Sequence, residues 1–313
     1  MFEVVKLNAG YQFRNRFVHA VRNVSFKVED EDFFGVAGES GCGKTTLMLA
    51  SLGLLKRPGK VISGQVLLDG TDLLSLKVSD LKQIRWKKIS LVTQSSMNSL
   101  NPVMKIKDQM ADVLVKNHGF SKNDAYELVK EKLKLVGITP DRMESYPHQL
   151  SGGMRQRVVI AMALLLSPKV IFMDEPTTAL DVVVQRSILQ QIEELKKKEH
   201  FSIVFITHDI SLLFELATKI AIMYAGEFVE LGEAKSVYSQ PLHPYTKGLI
   251  EALPSISKDL DKYKSIPGRP LDLALKIEGC PFRDRCSYAF ERCEVEKPEL
   301  RFVDGRWVAC HLY

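Results

Sequence analysis

No apolar run in this chain reaches the roughly 18 to 20 residues that a bilayer crossing needs. Near its motifs the longest uncharged stretch is Val158 to Pro168. The opening residues, Met1-Phe2-Glu3-Val4-Val5-Lys6, lack the basic-then-apolar layout of a secretory signal. The expectation is a protein that stays in the cytoplasm and meets a membrane only through a partner. There is no internal repeat and no low-complexity segment. A net charge of +5 is too mild to argue for nucleic-acid binding, though it suits nucleotide handling or an anionic membrane face. Cysteine is scarce and uneven: of five, Cys42 stands alone and the other four fall within the last 34 residues.

What is present supports a packed core. The 313 residues can hold one large domain, or one domain and a small appendage, and 45% of them are hydrophobic. From Phe33 to Met223 short apolar β-type runs alternate with helical patterns, which predicts a mostly parallel sheet flanked by helices. Strands are expected at Phe33–Ala37, Ile89–Thr93, Val170–Met173, Ser202–Ile206 and Lys219–Tyr224, and a helix at Thr45–Leu55. Before and just after the first of these, Val4–Leu7, Val24–Val28 and Val61–Asp69 alternate apolar and polar residues and suit a smaller antiparallel layer. Helical spacing over Ile106–Asn117 and Lys122–Val136 predicts an inserted lobe, about residues 95–165. Pro254, Pro267, Gly268 and Pro270 mark a linker, so the expected domains are 1–253 and a cysteine-bearing module at 254–313.

Five short segments carry chemistry. Gly38-Glu39-Ser40-Gly41-Cys42-Gly43-Lys44-Thr45 fits a phosphate loop. Its glycines let backbone N–H groups curl around phosphates at a helix N-terminus, Lys44 reaches the β- and γ-phosphates, and the Thr45 hydroxyl binds Mg²⁺. Thr46 follows in the same turn. Val170 to Met173 leads into Asp174-Glu175, two carboxylates on opposite sides of a strand end. Asp174 is assigned to the Mg²⁺ shell, and Glu175 to the attacking water as general base or orienter. An apolar run ending in acids is common by itself; its place downstream of the loop gives it weight.

Leu150-Ser151-Gly152-Gly153-Met154-Arg155-Gln156 opens a helix-periodic run, with Ser151 as N-cap and the glycines exposing backbone donors. A bare Ser-Gly-Gly is more often a simple turn. Here it forms a second anion site 107 positions beyond Lys44. Two phosphate sites on one chain predict two chains facing head to tail, each ATP gripped by Lys44 of one and by Ser151 and Gly153 of the other. His208, after the strand Ile203–Ile206, would stabilise charge developing on the γ-phosphate. Gln94 suits a Mg²⁺ or water contact. Tyr11 is a candidate to stack on adenine, with Phe13 and Phe17 as alternatives. Asp181 would lie where the two copies meet.

With these residues in place the chain resembles the ATP-binding subunits of ABC transporters, over about its first 235 residues. The Leu150–Gln156 segment is similar to that family's signature. The resemblance implies the same roles for Lys44, Thr45, Gln94, Glu175 and His208, and puts Tyr11 at the adenine. Beyond the core, Gln240-Pro241-Leu242-His243-Pro244-Tyr245-Thr246, Ser99-Leu100-Asn101-Pro102, Ala252-Leu253-Pro254 and Gly279-Cys280-Pro281-Phe282 resemble the oligopeptide/dipeptide importer subgroup. One departure is Glu31-Asp32, where the subgroup has Gly-Glu.

That subgroup implies an ATP-hydrolysing motor that closes as a dimer, with itself or a related chain. It implies two transmembrane permeases as partners, an external substrate-binding protein indirectly, and a peripheral place on the cytoplasmic face. Peptide is the implied cargo, with nickel or oligosaccharide as alternatives. A soluble ABC ATPase of DNA repair is the rival reading, disfavoured because the gap between phosphate loop and signature is short and holds no heptad run.

Cys280, Cys286, Cys293 and Cys310 could hold a metal or form two disulfides. A reducing cytoplasm disfavours disulfides, and zinc prefers Cys pairs two to four residues apart, which this tail lacks. Resemblance to subgroup members implies a [4Fe–4S] cluster, with zinc and free thiols left open. Cys42 is expected simply to fill a permissive loop position, though its place at a helix N-terminus would lower its thiol pKa and let oxidation block nucleotide entry.

Overall fold

The structure is a computed structural model, describing residues 1–94, 99–177, 181–253, 266–275 and 277–313. Pro254 of the expected linker, and Ala179 and Leu180 beside Asp181, lie outside the described residues. In chain order the strands are β1 (Phe2–Gln12), β2 (Phe17–Val28), β3 (Phe33–Ala37), β4 (Gly59–Leu68), β5 (Thr71–Asp72), β6 (Ile89–Val92), β7 (Val170–Asp174), β8 (Ser202–Ile206), β9 (Lys219–Tyr224), β10 (Glu227–Glu233), β11 (Arg301–Val303) and β12 (Arg306–Val308). The α-helices are α1 (Lys44–Ser51), α2 (Val78–Ile84), α3 (Ile106–His118), α4 (Lys122–Leu135), α5 (Gly152–Ala163), α6 (Val182–Glu199), α7 (Ile210–Leu216), α8 (Ala234–Ser239), α9 (Pro244–Glu251) and α10 (Glu291–Val295). They fall into two compact units, Met1–Leu74 with Phe205–Tyr313, and Ser75–Val204.

The first unit holds an antiparallel sheet in the order β2-β1-β4-β5. Its register, Phe2 opposite Val28 and Leu68, puts Phe2, Val4, Leu7 and Ala9 on the buried side. The strands are longer than the sequence pattern indicates, and the alternation changes phase at an irregularity between Val4 and Leu7, where Lys6 has φ 46°. A second sheet runs β11-β12-β10-β9-β3 within this unit. Strand β3 lies parallel to β9, Phe34 opposite Lys219 and Ala37 opposite Ile222, and every β3 residue is buried. Phe26 stacks on Phe34 at 4.9 Å, joining the two sheets into one core.

Four strands, β5, β10, β11 and β12, are not apparent from sequence. β10 is antiparallel to β9, and β12 of the tail pairs with β10 through Glu230–Val308 and Leu231–Trp307. The described tail residues therefore belong to the first unit, extending its sheet. Fully buried Glu230 organises this seam. Its Oε1 accepts from the Leu242 amide at 3.0 Å, its Oε2 from the His243 amide at 2.9 Å, and Arg306 lies 3.8 Å away.

His243 in turn caps α9, its Nδ1 accepting from the Tyr245 amide at 3.0 Å. Burial pushes the His243 pKa down to about 3, against a backbone hydrogen bond to Ala309 that raises it. The ring is neutral in the fold, whereas the unfolded chain takes up its proton near the ordinary value of 6.5. This group's stabilisation is therefore complete above that value and is lost as pH falls toward 3, at up to about 1.4 kcal/mol per pH unit. Urea unfolding between pH 7 and 5 should show a shallower pH slope, by about one proton, for His243→Asn, whose amide oxygen can keep the cap. Equal slopes would remove the assignment.

In the second unit β6 runs parallel to β7, Ile89 opposite Val170 and Val92 opposite Met173. The helical lobe follows the predicted periodicity: Ile106, Met110 and Leu114 on α3, and Ala125, Val129 and Leu133 on α4, are buried at i, i+4 spacing. Gly119 ends α3 in the left-handed region, and the Ser121 hydroxyl caps α4 by accepting from Asp124. Helix α1 stops at Ser51, four residues before the expected end, where Gly53 turns with φ 61°.

Candidate functional site

In the first unit the loop 38–43 connects β3 to α1. Its glycines are dictated by neighbours as well as by torsion. A Cβ on Gly38 would stand 2.2 Å from the Met223 carbonyl oxygen, and one on Gly43 would stand 2.1 Å from that of Ala20, with φ of 152° and 112°. The sheet thus presses the loop into a tight curl. Lys44 is buried, and its Nζ donates to the carbonyls of Gly38 (2.6 Å) and Glu39 (2.9 Å). Thr45 is exposed on the first turn of α1.

Tyr11 is only half-buried, and its hydroxyl shares a 3.0 Å hydrogen bond with the buried Thr46. Phe13 is exposed beneath the Arg16 guanidinium. His208 is exposed just past β8, between Thr207, whose hydroxyl accepts from the Asp209 amide at 3.0 Å, and Asp209, which caps α7.

In the second unit β7 delivers Asp174 in a buried position and Glu175 in a half-buried one. Glu175 adopts φ 45°, a left-handed conformation that a non-glycine residue holds only when its surroundings enforce it. Gln94, just past the neighbouring strand β6, donates through Nε2 to Glu175 Oε2 at 3.0 Å. The parallel strands thus bring two of the expected site residues together at their carboxyl ends.

The Ser151 hydroxyl caps α5, accepting from the Met154 amide at 3.3 Å, and leaves the Gly152 and Gly153 amides in the first turn. Gly153 is packed: a Cβ there would stand 3.0 Å from Val184. Asp181, expected at a meeting of two copies, caps α6 by accepting from the Val184 amide at 2.9 Å.

Residues 21–178 match the ABC transporter family, and residues 229–293 match the oligopeptide/dipeptide transporter C-terminal region. The dipeptide transport ATP-binding protein DppD of Caldanaerobacter subterraneus subsp. tengcongensis is 43% identical over 317 aligned positions, covering 100% of this chain and 97% of that protein. The chain is an ABC transporter ATP-binding protein. A second relative, the oligopeptide transport ATP-binding protein OppD of Salmonella typhimurium, is 40% identical across 99% of this chain and 93% of its own. Among solved structures, the dimeric bacterial ABC transporter cassette MJ0796 aligns with a TM-score of 0.66 at 28% identity, covering 75% of this chain and 99% of that one. The same cassette in a dimeric post-hydrolysis state bound to ADP and Pi aligns equally well at 27% identity. The ABC fold is thus a mixed sheet with a separate antiparallel layer and a helical lobe, as the periodicities predict.

The cysteine expectation needs correction. Among the described residues no three His, Cys, Asp or Glu side chains are grouped to hold a metal ion, so neither the [4Fe–4S] cluster nor zinc is supported. All five cysteines are free thiols. Burial pushes Cys280 up to about 11 and raises Cys286 and Cys310 as well, which favours the neutral form over a ligating thiolate. The tail is held by ordinary contacts: the Cys280 amide donates to the Cys293 carbonyl at 2.8 Å, and Phe282 meets the rings of Tyr224 and Tyr245, both at 5.3 Å. Cys42 also departs from expectation. Burial raises its pKa, outweighing Lys44, so the helix N-terminus does not activate this thiol.

One contact at the loop has no signal in the sequence. The Glu39 amide donates to the Tyr245 hydroxyl at 2.9 Å, from a segment 206 positions away. The Gln240–Thr246 motif marks that segment as distinctive, but nothing in its spacing points to the loop.

Proposed function

We propose that this ABC protein is the ATP-hydrolysing motor of a peptide importer, working as a nucleotide-sandwich dimer beneath two permease subunits on the cytoplasmic face of the membrane. Among the described residues no helix is long and apolar enough to cross a membrane. An external substrate-binding protein would deliver the cargo without touching the motor.

The residues fit ATP with Mg²⁺. The curl enforced at Gly38 and Gly43 is the tight glycine turn a phosphate loop needs, and the Lys44 ammonium now rests on loop carbonyls that phosphate oxygens can replace. Bound ATP–Mg²⁺ supplies the phosphoryl group to be transferred and the neutralisation of its charge. Ser40, Gly41, Cys42 and Gly43 contribute backbone donors to the phosphates. Thr45, Asp174 and Gln94 would hold the metal shell. Glu175 accepts the proton of the attacking water, Gln94 orients its carboxylate, and His208 donates toward the γ-phosphate. Tyr11 supports the adenine side while its hydroxyl holds Thr46. From the other subunit, Ser151 and the amides of Gly152 and Gly153 present a helix N-terminus to the same triphosphate, and Asp181 stands nearby.

The peptide assignment rests on one observation, the oligopeptide/dipeptide transporter C-terminal region carried on a chain aligned end to end with dipeptide and oligopeptide transport subunits. Deleting the gene and measuring uptake of radiolabelled di- and oligopeptides, nickel and oligosaccharide tests it. Loss of peptide uptake, restored by the wild-type gene, is the expected result; intact peptide uptake with loss of either other substrate would overturn it.

A further inference from the structure

Glu39 is an acidic residue inside a loop built to hold polyphosphate, where its charge opposes the ligand. The structure grips it at every polar group. Its amide donates to Tyr245, its carbonyl accepts from Lys44 and, at 3.3 Å, from the Cys42 amide, and its carboxylate is clamped by Arg285. Arg285 NH1 reaches Oε2 at 2.6 Å and NH2 reaches Oε1 at 2.8 Å, the planar two-pronged pairing that guanidinium and carboxylate make best.

Arg285 is itself fixed. It is 7% exposed, its Nε donates to the Pro267 carbonyl at 2.8 Å, and its guanidinium lies over Tyr224 at 5.7 Å and Phe282 at 5.9 Å. A buried cation held by three elements costs desolvation, which a mere tail anchor of apolar contacts would avoid. Residues Pro270–Leu273 of the same C-terminal region line a cleft of about 290 Å³ with Ser40, Gly41 and Cys42. The C-terminal region therefore meets the phosphate loop at Glu39 through both Tyr245 and Arg285, and borders a cleft with the loop's next three residues.

We propose that Arg285 is a positioning residue for ATP binding: the C-terminal region neutralises Glu39 and fixes the loop's first turn, so nucleotide affinity depends on the docked tail. The proposal rests on the ATP-motor reading above. Removing Arg285 leaves the Glu39 carboxylate uncompensated beside the phosphates, while removing both charges relieves the conflict.

The test is the dissociation constant of a fluorescent ATP analogue with Mg²⁺, measured on the full chain beside its thermal unfolding. Arg285→Gln should weaken binding about tenfold, and the double variant Glu39→Gln/Arg285→Gln should return to within about threefold of wild type. Arg285→Lys, which keeps the charge and loses the fork, should fall between, and it serves as the decisive variant should Arg285→Gln fail to fold. A role confined to anchoring the tail would lower Tm in both Gln variants and leave affinity unmoved. Wild-type affinity in Arg285→Gln or in a folded, destabilised Arg285→Lys, or a double variant no tighter than Arg285→Gln, would overturn the proposal. A wild-type chain that binds no ATP–Mg²⁺ would instead overturn the motor reading beneath it.

Discussion

Glu175→Gln should bind ATP–Mg²⁺ as well as the wild type and hydrolyse it about 10²- to 10⁴-fold more slowly, the range expected when a general base is removed. The substitution is nearly isosteric. The glutamine keeps a side-chain oxygen that can accept the Gln94 amide now 3.0 Å from Oε2, so the local geometry survives while proton affinity is lost. Glu175 also holds a left-handed backbone, one of ten non-glycine residues to do so among those described. A residue without glycine's freedom holds φ 45° at a cost of order 1 to 3 kcal/mol, and such strain concentrates where a side chain must be aimed. Steady-state phosphate release, measured beside nucleotide binding, checks the expectation. Because binding is retained and turnover blocked, the variant should also accumulate as the ATP-bound dimer on gel filtration. Wild-type turnover would move the base elsewhere, Asp174 being its buried neighbour.

Those features of the site that depend on neighbours along the chain are legible in the amino-acid sequence. The strand-loop-helix around Lys44, the Ser151 cap and the carboxylate pair after Met173 follow from periodicity and from rules acting over three or four residues. What stays hidden there depends on pairs far apart along the chain. The Tyr11–Thr46 hydroxyl pair spans 35 positions and the Arg285–Glu39 clamp spans 246. No local pattern encodes either. The β10–β12 pairing is invisible for another reason: three-residue strands such as Arg306–Val308 carry too little alternation to register.

The cysteines show how composition can mislead. Four thiols in a short tail look like a ligand set, but spacing says nothing about where side chains point or how deeply they are buried. Cys280 and Cys293 lie within the tail's own small core, linked through backbone rather than sulfur. Cys42 departs for a similar reason. A helix N-terminus lowers the pKa of a thiol in water, yet burial in the loop dominates here.

Glu230→Ala is expected to destabilise the fold by about 3 to 5 kcal/mol, the range for breaking a buried ion pair from one side. The carboxylate is 0% exposed and Arg306 is 3% exposed, so removal strands a guanidinium in the interior. It also orphans the Leu242 and His243 amides, which now share the two oxygens. Arg306 NH1 keeps the Ser236 carbonyl, but its Nε has no hydrogen-bond partner beyond the 3.8 Å ion pair. Chemical denaturation of full-length protein, read by midpoint at unchanged slope, gives the number. Glu230→Gln should lose less, since one oxygen remains for one amide. Adding Arg306→Met to Glu230→Ala should recover part of the loss by removing the stranded charge, leaving the amide deficit in place. A double variant as unstable as Glu230→Ala would show that the amide contacts alone hold this seam. In that case the ion pair serves to fix where the tail hairpin joins the sheet, and contributes little to how tightly it is held.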